Sequence, residues 1–231
     1  MPTVLVTGAN RGLGLEFCHQ YAAAEWKVLA CCRKPDAARD LRALTEIFPG
    51  ISVHSMDVGN FAEIDALSRA LADESIDVLL SNAGVYGDTS HTHFGSIDYR
   101  RWLDTFVINT QAPVKLAEAF LPQVARSQGK LIVAITSLMG SMGDNSSGGS
   151  IMYRSSKAAL NAAMKSLSID LKDRGIGVLM LHPGWVKTDM GGLQAPTSAE
   201  DSIAGMRKVI KHFKLAWSGR FVDFRGDELP W

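Results

Sequence analysis

Short apolar runs alternate with helical patterns along almost the whole of this 231-residue chain. Most of the runs lack the apolar/polar alternation of a half-buried strand, which favours strands that are buried on both faces. The predicted strands are Thr3–Thr7, Lys27–Cys31, Ile51–Ser55, Asp77–Ser81, Lys130–Thr136, Gly177–Leu181 and Arg220–Asp223. The predicted helices between them are Leu13–Glu25, Asp36–Phe48, Phe61–Glu74, Asp98–Arg126 and Ile151–Asp173. This order predicts an α/β fold, a doubly wound parallel sheet with helices on both faces and with its sites at the carboxyl ends of the strands.

The length and composition restrict the class of protein. Residues 1–231 fit one domain, and neither a repeat nor a linker divides them. Lysine plus arginine equals aspartate plus glutamate at 24 each, so the charge gives no argument for nucleic acid or membrane binding. Three cysteines, two of them adjacent at Cys31 and Cys32, give no disulfide framework. The N-terminus runs directly into a strand, and no apolar run approaches the length of a membrane span, so we expect a cytoplasmic protein.

A glycine-rich loop, TGANRGLG at residues 7–14, connects the first strand to the first helix. Glycine lets the backbone turn sharply and approach a pyrophosphate, which a helix N-terminus stabilises through its free N–H groups and its partial positive charge. Because the loop follows a strand and opens a helix, it predicts a dinucleotide site. The predicted contact residues in this loop are Gly8, Asn10, Arg11, Gly12, Leu13 and Gly14.

The end of the second strand indicates which dinucleotide binds. NAD enzymes usually place a carboxylate there for the ribose 2′-hydroxyl, but the segment ACCRK at residues 30–34 has no acid. Arg33 and Arg11 instead offer guanidinium groups that suit a dianionic 2′-phosphate. The alternative is that Arg33 and Lys34 are ordinary loop charges. We predict NADPH or NADP+ as the cofactor.

Tyr153 and Lys157 stand four residues apart in a predicted helix, so their side chains share one face. A phenol with a pKa of about 10 is a poor acid at neutral pH, and a nearby ammonium favours the phenolate and lowers that pKa. The pair is therefore a candidate proton donor with its tuning group. The alternative is an ordinary pair on a helix surface.

The motifs taken in order resemble the short-chain dehydrogenase/reductase family from the first strand to the C-terminus. They are the glycine loop, Asn82-Ala83-Gly84, Asn109, Ser137, the Tyr153 and Lys157 pair, and Pro183-Gly184. The stretch HPGWVKTDMGG at residues 182–192 and the ending from Ser218 to Trp231 are most similar to the branch of C-factor and sniffer-type carbonyl reductases. The resemblance implies a Rossmann-type fold and NADPH-dependent reduction of a ketone, aldehyde or quinone.

The resemblance also implies a catalytic set of Asn109, Ser137, Tyr153 and Lys157. Tyr153 would donate the proton, and Ser137 would hold and polarise the carbonyl oxygen. Lys157 would lower the phenol pKa and bind the nicotinamide ribose. Spacing adds an argument for Asn109, because Pro113 lacks an N–H group and leaves the Asn109 carbonyl without its intrahelical partner, which should kink the helix. The freed carbonyl would hold a water in the family's proton relay; the alternative is a simple packing kink.

Further cofactor contacts are implied by resemblance alone. Asp57 and Val58, after the third strand, resemble the family's adenine-contacting pair. Asn82-Ala83-Gly84 resembles the stretch that steadies the sheet and lies along the ribose. The segment after the sixth strand resembles the one that grips the nicotinamide carboxamide, which implies transfer of the pro-S hydride. Its expected contact residues are Pro183, Gly184, Val186 and Thr188.

Several histidines, cysteines and methionines lie outside these motifs. His91 and His93 have no third ligand at fixed spacing, so we predict no metal site. Cys18 and Cys32 have no histidine base near them in sequence, and we interpret them as small buried hydrophobes. Four loop residues are predicted to line an apolar substrate cleft: Met139, Met142, Trp185 and Met190.

Two functions from different classes remain open at this point. One is an NADPH-dependent carbonyl reductase acting on a small molecule. The other is a cofactor-binding signalling or regulatory protein of C-factor type, whose turnover is weak or incidental. All four catalytic positions are filled, which favours the enzyme.

The composition of the helix Ile151–Asp173 predicts a homodimer, or half of a tetramer. The helix is apolar or small nearly all round, so it needs cover on more sides than the sheet provides. Its small residues Ala159, Ala163 and Ser166 would let a second helix approach closely. In the family, this helix and Asp98–Arg126 form a four-helix dimer interface. The expected apolar contacts on that second helix are Leu116, Ala119 and Phe120.

Overall fold

The computed structural model describes all 231 residues. Its seven strands are β1 (Thr3–Thr7), β2 (Lys27–Cys32), β3 (Ile51–Ser55), β4 (Val78–Ser81), β5 (Leu131–Ile135), β6 (Gly177–His182) and β7 (Arg220–Asp223). They form one parallel sheet in the order β3-β2-β1-β4-β5-β6-β7. The predicted doubly wound parallel sheet is confirmed, and every predicted strand end lies within one residue of the observed one.

The α-helices cover both faces of this sheet. They are α1 (Gly12–Ala23), α2 (Arg39–Ile47), α3 (Phe61–Ala70), α4 (Tyr99–Phe106), α5 (Ala112–Ala119), α6 (Leu121–Arg126), α7 (Ile151–Asp170) and α8 (Ala199–Lys211). Because side chains alternate along a strand, Val4 and Val6 of β1 pack with Phe17 of α1 on one face. Leu5 packs on the other face, in the same core as Leu160 of α7. No helix in the structure combines the length and apolar character needed to cross a bilayer.

The predicted helix Asp98–Arg126 is interrupted twice, and each interruption coincides with a proline. Pro113 lacks an N–H group, and the turn before it widens into a π-helical segment, Val107–Gln111, where a kink was predicted. Pro122 stands in the first turn of α6 and ends the preceding helix at Ala119. The second break was not predicted.

One helix, α8, was absent from the prediction. Ser198 begins it as an N-cap, with its Oγ accepting the Asp201 N–H at 3.0 Å. Its buried positions Ile203, Met206 and Ile210 follow a helical period. The serine, the acids after it and this period were readable as a helix start.

Two of the expected dimer contacts were assigned wrongly. Leu116 and Phe120 are at most 1% exposed, since they belong to the chain's own core between the sheet and α7. They are therefore not available to a second copy. The exposed apolar residues of this region lie further towards the N-terminus, on α4, and include Tyr99 and Leu103.

Candidate active site

The glycine loop and the start of α1 form a backbone cradle. Gly8 and Gly12 have φ of +67° and +53°, which favour glycine. A Cβ on Gly14 would lie 2.1 Å from the Gly8 carbonyl oxygen, so only glycine fits at this position of the turn. Arg11, in the N-cap position of α1, makes no side-chain cap, and the first turn carries no acid. The N–H groups at this helix start therefore suit an anionic group, as a dinucleotide pyrophosphate requires.

The cradle is tied to the neighbouring strand β4. The backbone N–H groups of Asn82 and Ala83 both donate to Thr7 Oγ1 at 3.0 Å. Asn82 Nδ2 donates to the Thr7 carbonyl oxygen at 2.8 Å. Gly84 follows, where a Cβ would lie 3.2 Å from Asn109 Oδ1. These bonds tie the stretch after β4 to the end of β1.

Arg11 spans the opening of the cradle. Its Nη1 lies 2.5 Å from Asp189 Oδ2, and both side chains are exposed. This ion pair links the glycine loop to the loop after β6. Arg33 and Lys34, at the end of β2, are exposed, and neither of them forms an ion pair. The two arginines therefore differ, because the Arg11 guanidinium is paired with the Asp189 carboxylate and that of Arg33 has no such partner.

The two residues expected at the adenine lie directly after β3. Asp57 Oδ1 accepts the Gly59 N–H at 2.9 Å, and the Asp57 N–H donates to Glu63 Oε2 at 2.8 Å. Val58 is buried. These bonds fix the turn at the edge of the cradle, and they leave Asp57 Oδ2 without a hydrogen-bond partner within the chain.

Asn109 lies in the π-helical segment and is fully buried. Its side-chain amide clamps the backbone of Val85: Nδ2 donates to the carbonyl oxygen at 2.8 Å, and Oδ1 accepts the N–H at 2.9 Å. Nδ2 also donates to Ser156 Oγ on α7 at 3.0 Å. The side chain of Asn109 thus joins the loop after β4 to α7, a role that the sequence did not indicate.

Tyr153 and Lys157 lie one turn apart on the buried face of α7. Lys157 Nζ donates to the Ile135 carbonyl oxygen at 2.9 Å and lies 5.8 Å from the centroid of the Tyr153 ring. Burial lowers the pKa of Lys157 to about 8. Burial likewise raises the pKa of Tyr153 to about 12, while a hydrogen bond with Ser137 lowers it and Tyr86 raises it.

Without a bound cofactor, the pKa of Tyr153 is thus raised and not lowered as predicted, and Lys157 is not among the groups that shift it. Both side chains are less than a tenth exposed, and burial disfavours the charged form of each group. The phenol is consequently protonated at neutral pH. That state is the one in which it can donate a proton.

Ser137 follows β5 and faces the phenol. Its Oγ accepts the Met139 N–H at 3.1 Å, which caps a short 3-10 turn, Leu138–Gly140. A Cβ on Gly140 would lie 2.8 Å from the Lys157 backbone, so the glycine lets this turn rest on α7. The turn thereby brings Ser137 to the same edge of the sheet as Tyr153.

The loop after β6 is folded upon itself. Gly184 has φ of +83°, and a Cβ there would lie 3.0 Å from the Phe224 ring. Val186 is buried and pairs with Thr197. Thr188 Oγ1 accepts the Gly191 N–H at 3.1 Å. Pro183 is held by Ser202, whose Oγ donates to the Pro183 carbonyl oxygen at 2.6 Å.

The residues expected to line a substrate cleft are mostly accessible. Met142, Trp185 and Met190 are exposed, while Met139 is half-buried. His91 and His93 lie in an exposed loop, where His93 Nδ1 is 3.1 Å from the Phe94 carbonyl oxygen. Cys18 and Cys32 are buried, and burial raises the pKa of both thiols. Neither thiol is arranged as a nucleophile.

Two residues of this site had no signal in the sequence. Tyr86 stacks on Tyr153 with ring centroids 4.7 Å apart. Asp88 accepts a hydrogen bond from the Tyr153 N–H at 2.8 Å. Both follow β4, more than sixty residues before the residue that they contact. Local patterns carry no information about such a pairing.

Known proteins are similar to this chain in both sequence and fold. A family model described as short chain dehydrogenase matches residues 2–198. The "C-signal" protein of Myxococcus xanthus is 44% identical over 156 residues, which are 68% of this chain and 93% of that protein. The carbonyl reductase Sniffer of D. melanogaster has 34% identity and a TM-score of 0.92, with 100% of both chains covered. The NADPH-bound carbonyl reductase from chicken fatty liver has 32% identity and a TM-score of 0.93, covering 100% of this chain and 99% of that one.

The comparisons agree with the geometry. A glycine cradle, an Asn-Ala-Gly tie between two strands and a buried tyrosine beside a lysine occur here on one parallel sheet. The chain is therefore an oxidoreductase that belongs to the short-chain dehydrogenase family, in the branch of the C-factor and sniffer-type carbonyl reductases.

Proposed function

We propose that this protein is an NADPH-dependent carbonyl reductase for small ketones, aldehydes or quinones. The observation that carries the proposal is the buried cluster of Tyr153, Ser137 and Lys157 at the carboxyl edge of the sheet. Such a cluster supplies a protonated phenol, a hydroxyl beside it and an ammonium one turn away. These groups suit a reaction that places negative charge on a carbonyl oxygen.

The cofactor would be held by the cradle of residues 8–14, by the loop after β6 and by Lys157. When bound, it supplies the hydride. Tyr153 Oη delivers the proton to the substrate oxygen, and the Ser137 hydroxyl holds that oxygen in place. Lys157, with its pKa lowered to about 8, exchanges protons close to neutral pH, which suits a group that restores the phenol proton.

The preference for the phosphorylated dinucleotide rests on charge at the end of β2. The absence of an acid and the exposed guanidinium of Arg33 both favour a 2′-phosphate over a free 2′-hydroxyl. Relatives support this choice, since the chicken fatty liver structure contains NADPH and a Pseudomonas aeruginosa carbonyl reductase structure contains NADP.

The test is NADPH consumption, followed by absorbance, with a panel of small ketones, aldehydes and quinones. We expect turnover with several members of the panel, and at least about a hundredfold slower turnover with the Tyr153→Phe variant. Tyr99→Phe serves as the matched control, because Tyr99 is exposed on α4. Wild-type protein that binds NADPH but reduces no compound of the panel would contradict the proposal.

One observation supports the alternative function, a signalling or regulatory role. The relative with 44% identity carries the name C-signal, so a signalling role with incidental turnover is the alternative. In that case NADPH would bind with ordinary affinity, while kcat/KM would stay low for every carbonyl tested. Filled positions at Asn109, Ser137, Tyr153 and Lys157 favour the enzyme.

We also propose that the protein is a homodimer that pairs through α4 and α7. The α4 surface presents Tyr99, Trp102, Leu103 and Phe106 as a contiguous apolar patch. On α7 the small residues Ala159 and Ala163 are half-buried, and Ser166 is exposed. A second copy would cover both surfaces about a two-fold axis.

Sedimentation at micromolar concentration tests this assembly. We expect a dimer for the wild type and a monomer of 25.0 kDa for Ala163→Arg, since a guanidinium there would block close approach of a second helix. Lys172→Arg, in an exposed turn beyond α7, should remain dimeric. A wild type that sediments as a monomer would rule the dimer out.

A further inference from the structure

The N-terminus of α7 is not capped by the residue that precedes it. Ser150 has φ of +46° and ψ of +44°, whereas a capping residue normally has extended backbone. Its side chain makes no bond to the helix start. Instead its hydroxyl lies 2.8 Å from the hydroxyl of Tyr86. The first turn of the catalytic helix must therefore find its acceptors elsewhere.

Asp88, in the loop after β4, supplies them. Its Oδ2 accepts the Tyr153 N–H at 2.8 Å, and its Oδ1 faces the Met152 N–H at 3.4 Å. A carboxylate in this position satisfies free N–H groups and interacts favourably with the positive end of the helix dipole. One of these bonds goes to the backbone of the residue whose phenol is the proposed proton donor.

Asp88 is itself held in place by its neighbours. Asn109 clamps the backbone of Val85 through two hydrogen bonds. Gly87 has φ of +79°, and a Cβ there would lie 2.4 Å from Thr105 Oγ1, so the loop lies directly against α4. The backbone that leads into Asp88 is therefore fixed by contacts at Val85 and Gly87.

A second contact from the same loop reaches the Tyr153 side chain. The Tyr86 ring stacks on the Tyr153 ring at 4.7 Å with an angle of 29° between the planes. The loop thus holds Tyr153 twice, by its amide through Asp88 and by its ring through Tyr86.

We propose that Asp88 is a positioning residue for Tyr153, which acts through the first turn of α7 to aim the phenol at the substrate oxygen. This inference rests on the proposed reductase function. Without the carboxylate, the first turn frays and the phenol loses its fixed direction. Displacement of a reacting group by about 1 Å is enough to lower a rate by orders of magnitude. Lys157 lies a full turn further along the helix and keeps its bond to Ile135.

The test compares Asp88→Ala and Asp88→Asn with Asp98→Ala. Asp98 is the matched control, since its Oδ1 caps α4 by accepting the Arg101 N–H at 3.0 Å without contacting Tyr153. Loss of either cap should lower stability to a similar extent, about 1 kcal/mol. Only the Asp88 substitutions should change catalysis.

We expect kcat to fall at least about tenfold in Asp88→Ala, with KM and the NADPH dissociation constant changed less than about twofold. Asp88→Asn retains one acceptor oxygen and should lose less activity. Amide hydrogen exchange gives a readout that does not depend on activity. The Met152 and Tyr153 amides should exchange faster in Asp88→Ala and at the wild-type rate in Asp98→Ala.

Unchanged exchange at these amides, or faster exchange with an unchanged kcat, would overturn the positioning role. An equal fall of kcat in Asp98→Ala would overturn it too, because the loss would then follow stability alone. A wild type without reductase activity contradicts the proposed function, and the exchange comparison still decides whether Asp88 holds Tyr153.

Discussion

The two ends of the cleft are built in opposite ways. The proposed phosphate end, residues 8–14 with Arg33, consists of backbone N–H groups, glycines and exposed guanidinium groups. The proposed catalytic end consists of side chains that are less than a tenth exposed. Asn109 is bonded to Val85, and Lys157 to Ile135.

This difference determines what a substitution does at each end. An exposed charge acts through a screened interaction that is worth little individually and weakens with salt. A buried group contacts its partner directly, and neither a neighbouring side chain nor solvent can take over that contact when the group is removed. We therefore expect large, salt-independent effects on kcat at the catalytic end and small, salt-dependent effects on binding at the phosphate end.

The largest effect should come from Tyr153→Phe. Removal of the phenol hydroxyl should lower kcat by about 10²–10⁴, the usual contribution of general acid–base catalysis. NADPH binding should remain largely intact, because the ring and Lys157 stay in place. Steady-state kinetics and a fluorescence titration with NADPH measure the two quantities. A variant that keeps more than about a tenth of the wild-type kcat would contradict the large effect expected at the buried end of the cleft.

Lys157→Met should separate stability from function. Burial lowers the pKa of this lysine from 10.5 to about 8. Between these values the unfolded chain binds more protons, so the contribution of Lys157 to stability rises from pH 8 to pH 10.5. At pH 7 the buried ammonium destabilises the protein fully. We expect Lys157→Met to raise the free energy of unfolding at pH 7 by roughly 1–3 kcal/mol and to abolish reduction.

Urea denaturation of the cofactor-free protein at several pH values measures this change. The gain from Lys157→Met should shrink as the pH rises through the window above. Lys172→Met is the control, since Lys172 is exposed and should change stability by less than about 0.5 kcal/mol. A Lys157→Met protein that is less stable than the wild type at pH 7 would show that the bond to Ile135 outweighs the burial of the charge.

Cofactor selection should show an intermediate effect. We expect kcat/KM with NADPH to exceed that with NADH at least about tenfold, roughly 1.4 kcal/mol. Arg33→Ala should remove most of this preference, and Arg174→Ala, at an exposed position before β6, should leave it unchanged. Equal values for the two cofactors in the wild type would contradict the assignment of the 2′-phosphate site.

The smallest effect should come from Asp189→Asn. The Arg11–Asp189 ion pair is exposed, so its loss should change stability by less than about 1 kcal/mol. Release of Arg11 should tighten NADPH binding about twofold at low ionic strength, and the gain should fade at high salt. Asp173→Asn removes a charge elsewhere and should have no such effect. Weaker NADPH binding in Asp189→Asn would mean that the pair supports the bound cofactor.

The sequence predicted the features that local chemistry dictates. The succession of short apolar runs and helical patterns located all seven strands. Pro113 indicated the irregular turn at Asn109. Features that depend on packing were not accessible. Burial of Leu116 and Phe120 in the chain's own core, and of Tyr153 and Lys157 at the sheet edge, follows from which faces meet in three dimensions. That burial reversed the expected direction of the Tyr153 pKa.

The candidate site shows the same division. The glycine loop and the Tyr153 and Lys157 pair could be named from their spacing, and the other motif residues from their resemblance to the family. The Asp88 contact could not be named, since a carboxylate in a loop has no local partner that would reveal it.

The position of β1 affects how the protein is made. β1 precedes the other six strands of the sheet along the chain, yet it lies inside the sheet, between β2 and β4. On a growing chain, β2 and β3 are added on one side of β1, and β4 to β7 follow in order on the other. On that second side the open edge of the sheet moves outward with each added strand until β7 becomes the final edge, and an open strand edge can pair with other chains. While the sheet is incomplete, pairing of that edge with other chains therefore competes with the addition of the next strand.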